Sequence, residues 1–387
     1  MSSHLMSRVA AATAAIAVFF APTQTDAQGR TAAGVGPNGM AWQAASRIIG
    51  VTSTGTVATG GDARYLVPNG TAGGVVGLLM TEASGGQFVC SGTLLADRRS
   101  ILTAAHCVSS GAGSANPVNT KVLFRQNTAT SDNQIWGDFA NVTAVDVTDY
   151  FVNGAYTGQV IDQNDIAVLR MGQAAPDFAN SFELFQPAGL SGLTGQEFNV
   201  MGYGARSNGG GAVGANLGSG RLRQGDNRYE FRLGDDAFGG FWNGFFGTAN
   251  VDRSYVSDFD NGLAANDASC LVASSLLLGG PQFCNLGVGA DEVGIAGGDS
   301  GGPQFIDGRL AGVNSYGLSF GASFGDFGGG LNSGFGEFSG YVPTYIHGDF
   351  IRGNLVATVV PEPTSIALMG MGLAGLGVVA RRRRKTA

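Results

Sequence analysis

The chain has 387 residues, 44% of them apolar and only 13% charged, with 65 glycines and a formal net charge of −7. The charged fraction is about half the roughly 25% of ordinary soluble domains, and the apolar content excludes a disordered polyelectrolyte. Five of the 22 basic residues crowd into positions 381–385, so the body is more acidic still, which argues against a nucleic-acid partner.

Residues 1–27 carry Arg8, an apolar run over 9–20, and small residues Thr25 and Ala27 before Gln28. That order is the grammar of a secretory signal peptide, and the run is well below the ~20 residues of a membrane span. A short membrane anchor is the competing reading. Export implies an oxidising compartment in which cysteines pair. The middle of the chain is dominated by β-branched and aromatic runs at 73–80, 121–126, 141–152, 165–171, 196–204 and 309–317, separated by Gly, Asn and Asp. They predict an all-β barrel or sandwich, with 100–108 as the one candidate helix before residue 345. Two Gly/Phe-rich stretches, 207–247 and 317–340, are expected to be loops pinned down by their phenylalanines.

Chemistry enters with "GDSGGP" at 298–303, which carries Ser300. A serine needs a base and an oxyanion pocket before it is a nucleophile. Of three histidines, His4 lies in the signal segment and His347 near the end of the folded part, leaving His106 in "SILTAAHCV". Asp165, in "QNDIAVLRM", directly precedes an apolar strand, where it can accept an imidazole N–H and hold the tautomer. The chain order is His106, Asp165, Ser300, unlike the order in subtilisins or α/β-hydrolases. "DFDNG" at 258–262 lacks the acidic spacing and the bidentate glutamate of a calcium loop, so no metal site is expected.

"TAAHC", "NDIAVLR" and "GDSGGP" together resemble the three signatures of the trypsin/chymotrypsin-fold serine proteases, over roughly residues 48–355. The resemblance implies two antiparallel six-stranded-type β-barrels meeting at a cleft. It makes Ser300 the nucleophile, His106 the base and acid, and Asp165 the orienting carboxylate. The amides of Gly298 and Ser300 would form the oxyanion hole. In "NSYG" at 314–317, Ser315 would sit near Asp165, and Tyr316 and Gly317 would run alongside the bound peptide. Disulfides Cys90–Cys107 and Cys270–Cys284 are implied, the latter beside the specificity pocket. No cofactor is implied, and the substrates would be proteins or peptides.

The chain also departs from this pattern. The cysteine often found four residues before the nucleophile is Ala296, and the aspartate that would attract Lys or Arg six residues before it is Gly294. A small pocket floor favours uncharged side chains, although Asp291, Glu292 or Asp326 could reach the pocket. The family's activation cut matches best in "SRIIGV", between Arg47 and Ile48, after which the new ammonium would pair with Asp299. "RYLVPNG" at 64–70 has better spacing and poorer sequence. If Gly294 is the floor, another protease makes the cut.

The C-terminal segment holds Pro-Glu-Pro at 361–363, an uncharged run over 365–380 and the basic cluster. It resembles the PEP-CTERM sorting tail of Gram-negative bacteria, which implies processing by an exosortase-type enzyme. A short transmembrane-like helix would transiently anchor the protein in the inner membrane before it reaches the outer surface or extracellular matrix. The expected organisation is a signal peptide over 1–27, a propeptide over 28–47, a protease domain over 48–357 and a sorting tail over 358–387. The competing readings are a binding module on a protease fold and a matrix structural protein, both without turnover.

Overall fold

The computed structural model describes residues 30–45, 63–68, 70–111, 113, 115–126, 135–136, 141–189 and 192–356. The signal segment, Arg47, Ile48 and the sorting tail with its expected helix lie outside them. No helix among the described residues is long and apolar enough to cross a membrane.

The strands are β1 (Thr31–Val35), β2 (Ala41–Ala45), β3 (Val75–Thr81), β4 (Gln87–Leu94), β5 (Ser100–Thr103), β6 (Asn119–Arg125), β7 (Val142–Val152), β8 (Ala167–Met171), β9 (Glu197–Gly202), β10 (Arg223–Arg228), β11 (Phe231–Arg232) and β12 (Tyr255–Asp258). Helix α1 (Ala268–Ser275) follows, then β13 (Pro303–Ile306), β14 (Arg309–Ser319), β15 (Phe338–Pro343) and helix α2 (Gly348–Gly353). Strands β3–β4–β5–β8–β7–β6 close into an antiparallel barrel. Strands β3 to β5 are buried on both faces, whereas β7 shows much of its outer face to solvent. The difference follows from position. The apolar cluster that fills the barrel also includes Tyr203, Phe305, Leu310 and Val313 from the second half of the molecule.

The second half is not a second closed barrel. It is an open sheet in the order β10–β9–β13–β14–β15–β12–β11, a half-barrel. Its outer strands β10 and β11 are consecutive in the chain and separated only by Tyr229 and Glu230. The two edges are therefore joined by a corner in the backbone instead of a hydrogen-bonded ladder. A hairpin of β1 and β2 adds to this sheet through β14, with Ala45 opposite Gly317, Ala44 opposite Leu318 and Gln43 opposite Ser319.

The stretch 100–108 is a strand followed by a 3₁₀ turn over Ala105–Cys107, not a helix. Pairing of β5 with both β4 and β8 overrides the local pattern. Helix α1 was not foreseeable from periodicity, being eight residues long. Its start is set by Asp267, whose carboxylate accepts from the Cys270 amide at 2.7 Å.

The Gly/Phe-rich segments are packed, not loose. Phe238, Trp242, Phe245, Phe246, Phe320 and Phe338 form one aromatic cluster, with Trp242 stacked on Phe246 at 5.5 Å and an interplanar angle of 7°. Trp42 of the hairpin meets Phe246 edge-on at 5.1 Å. Trp242→Ala should therefore lower stability by about 3–5 kcal/mol. Phe327→Ala, at a residue 63% exposed, should stay within about 0.5 kcal/mol. Urea midpoints of the two variants check the contrast.

Candidate active site

The two halves meet along a cleft whose walls are tied at one buried residue, Ser91 of β4. Its amide donates to the Ser300 carbonyl at 2.8 Å and its hydroxyl to the Gly298 carbonyl at 2.9 Å. The same hydroxyl accepts from the Tyr203 amide at 3.1 Å.

His106 sits in the 3₁₀ turn after β5, and Cys90–Cys107 joins that turn to β4. Asp165 lies two residues before β8, which pairs with β5, so the two side chains are brought together by one ladder. Asp165 Oδ1 accepts from the His106 amide at 2.8 Å, and Oδ2 lies 2.7 Å from His106 Nδ1. Ser315 Oγ of β14 donates to the same Oδ2 at 2.5 Å. An ionised carboxylate only accepts hydrogen bonds, so Nδ1 carries the proton and Nε2 is left as the acceptor. Nε2 stands 2.6 Å from Ser300 Oγ, bridging 194 residues of sequence and both halves of the molecule.

Around Ser300 the backbone is turned by glycines. Gly298 has φ +108°, and Gly301, at φ +79°, leaves no room for a side chain, because a Cβ there would lie 2.5 Å from the Ser91 carbonyl. The carbonyl preceding Gly298 N–H, that of Gly297, accepts from Ala205 N at 2.8 Å. The carbonyl preceding Ser300 N–H, that of Asp299, accepts from Gly302 N at 2.7 Å and Asn314 Nδ2 at 3.2 Å. In a trans peptide the N–H points opposite its carbonyl. Anchoring these two carbonyls therefore aims the Gly298 and Ser300 amides the other way, and among the described residues neither amide has an acceptor. Free amide donors beside a serine hydroxyl are what a developing oxyanion requires. Ser91 had no signal in the sequence, because its role exists only across the interface of the two halves, and Asn314 had none because its contact with the Asp299 carbonyl forms only once β14 packs beside the turn.

The other candidate positions divide. Gly294 lies against the ring of Phe259, where a Cβ would come within 3.0 Å of Cδ1. Asp291 pairs with Arg64 at the surface, Glu292 accepts from Val288 and Asp260 amides, and Asp326 accepts from Ser319, Gly328 and Gly329. Each of those acids is already committed to partners of its own. Cys270–Cys284 joins α1 to the segment before Gly287. Tyr316 and Gly317 lie on β14, but the edge at Gly317 is taken by β2. Arg30, at the base of that hairpin, donates to the carbonyls of Ser109 at 2.8 Å and Gly158 at 2.9 Å on the opposite wall. The hairpin thus straddles the cleft, and Ser300 has no exposed surface.

Asp299 is buried, with its Oδ1 accepting from Gly204 N at 2.5 Å, and burial pushes its carboxyl up to about 7. The folded form therefore holds a proton that the unfolded chain releases near 3.8, so this group's contribution to stability falls as pH rises from about 4 to 7. Asn at 299 keeps the acceptor for Gly204 and cannot ionise. Asp299→Asn should gain on the order of 3 kcal/mol relative to the parent between pH 4 and pH 8, measured as the difference in unfolding free energy of the uncleaved chains.

Residues 71–230 match the family model described as trypsin, and residues 359–384 match the PEP-CTERM protein-sorting motif. The first match includes His106 and Asp165 and ends before Ser300. A sequence search among curated proteins finds no match. A solved structure titled as HL collagenase is similar over 75% of this chain and 96% of its own, at 20% identity and a TM-score of 0.45.

Proposed function

We propose that this chain, a trypsin-like protease domain with a C-terminal PEP-CTERM sorting tag, is an exported serine endopeptidase made as a latent precursor. The observation that carries the reading is the unbroken hydrogen-bond line from Ser315 through Asp165 and His106 to Ser300, ending beside two free amides. Ser300 Oγ attacks the scissile carbonyl while His106 Nε2 takes its proton. The Gly298 and Ser300 amides hold the oxyanion, and His106 returns the proton to the leaving amine. Water then hydrolyses the acyl-enzyme by the same proton route in reverse. Asp165 orients the imidazolium through its contact with Nδ1. Peptide substrates would pair with β14 at Tyr316 and Gly317, and the small floor at Gly294 beneath Phe259 favours an uncharged side chain. The sorting tag implies handling by an exosortase-type enzyme and delivery to the outer surface of a Gram-negative cell, with transient anchoring in the inner membrane.

Latency follows from the hairpin. A peptide cannot pair with Gly317 while Ala45 does. Arg47 follows Ala45 by two residues, a reach of at most about 7 Å, so the expected cut before Ile48 falls close to the end of the paired segment and would release 28–47 as a propeptide. The freed Ile48 ammonium would then neutralise Asp299.

A fluorophosphonate offered to protein cut after Arg47 should form an adduct on Ser300. No adduct there would sink the reading. Ser300→Ala and His106→Ala should each reduce kcat/KM by at least about 1,000-fold. Arg30→Ala, which releases the hairpin from the first wall, should raise the labelling rate of the uncut chain several-fold while leaving that of cut protein unchanged. Equal labelling of uncut parent and variant would remove the hairpin from the account of latency.

A further inference from the structure

The sequence offers no calcium loop at 258–262, yet the fold brings the missing glutamate from elsewhere. Asp258 ends β12, Asp260 follows two residues later, and Glu292 arrives from the segment leading to Gly294. All three are at least 99% buried, and each offers a carboxylate oxygen within 4.8 Å of the others. That spacing matches the diameter of a calcium coordination shell, whose oxygens stand 2.3–2.6 Å from the ion. The two segments are already neighbours: Asn227 Nδ2 donates to the Asp258 carbonyl at 2.8 Å and the Val293 carbonyl at 2.9 Å.

The surrounding donors leave the cluster short of positive partners. The Ser269 amide serves Asp258 Oδ2, the Gly262 amide serves Asp260 Oδ1, and the Asp260 and Val288 amides serve the two oxygens of Glu292. Asp260 Oδ2 is buried with no partner, and so is Oε1 of the nearby Glu230. Among the described residues no ion pair reaches Asp258, Asp260 or Glu292. Arg228 relieves Glu230 alone, and Asp267 adds a further negative charge. Burial first, and mutual repulsion second, push the carboxyls of Asp258 and Glu292 upward. Uncompensated buried carboxylates are too costly to persist without a proton or a cation.

We propose that Asp258, Asp260 and Glu292 bind a calcium ion that clamps the 258–260 segment to the segment carrying Gly294. An all-oxygen, carboxylate-rich set selects a hard cation. A buried site lined by carboxylates favours calcium over magnesium, which gives up its hydration shell reluctantly. Phe259 lies between two of the ligands and against Gly294, so the ion fixes that ring from both sides. Ala296 stands where the related proteases often place a bracing cysteine, and the ion supplies a brace there. Ion binding stands on the cluster alone. Only its consequence for the pocket rests on the protease reading.

The test uses full-length Ser300→Ala protein, which excludes self-digestion, stripped with EGTA and titrated with calcium chloride. Calcium at about a hundredfold excess over its Kd should raise the melting temperature by roughly 5–10 °C. Terbium should bind with the same stoichiometry of one and be displaced by calcium. Asp260→Asn and Glu292→Gln, each made in the Ser300→Ala chain, should melt higher than the parent without calcium, because a buried charge is gone, and should lose the calcium response. A folded parent with no calcium shift overturns the proposal, as does a shift that survives in both variants. Failure of Ser300 to label in the parent protein would strike the protease reading and leave this result standing.

Discussion

The buried contact between Ser91 and the turn at 298–300 is the constraint on which the site depends. One serine of the closed barrel, through its amide and hydroxyl, holds two carbonyls of the opposite half. Those bonds fix the turn relative to β4, and β4 is tied by Cys90–Cys107 to the turn that carries His106. His106 and Ser300 are thereby referred to the same strand, although they belong to different halves. A displacement of even half an ångström between the halves would be felt at the 2.6 Å contact of Nε2 with Ser300 Oγ. The aromatic packing of Phe182 on Phe305, with centroids 4.6 Å apart, supports the same seam away from the chemistry.

Much of this was legible in the sequence because the reactive groups need local backbone devices that leave residue patterns. The turn at Ser300 needs glycines at positions of positive φ or close approach, so Gly298 and Gly301 appear as a motif. His106 follows a buried strand and adjoins a cysteine, and Asp165 heads another strand. What stayed hidden depends on long-range placement. "TAAGV" and "AWQAA" have too little β-branching or alternation to announce a hairpin, and their partner strand lies some 270 residues away. Glu292 sits far from Asp258 in sequence, so local acidic spacing could not show that the three carboxyls meet. The open second sheet was hidden for another reason. Strand content does not reveal whether two edges meet through a ladder or through a corner at Tyr229 and Glu230.

The composition now has a structural meaning. A protein so poor in charge has few cations with which to neutralise buried acids, and Asp258, Asp299, Glu292 and Glu337 are all carboxyls pushed upward by burial. Their placement is not uniform. They gather in the second half, around the turn at 298–300 and the walls beside Gly294, while the closed barrel is filled by apolar side chains. The half that carries Ser300 thus holds the polar strain, and the half that carries His106 is the rigid reference.

The two ends of the described domain are strapped crosswise. The hairpin near the N-terminal end lies on the second sheet, whereas the C-terminal end returns to the first barrel, where the Arg170 guanidinium donates to the Asn354 carbonyl at 2.5 Å and the Val356 amide to Asp97 at 2.7 Å. During synthesis the hairpin emerges before the sheet it joins, and the C-terminal strap that ties onto the barrel arrives last. Contacts of such long sequence separation make folding slow and postpone completion until nearly the whole chain exists. A chain that matures this late brings His106, Asp165 and Ser300 together only after its last described residues are in place.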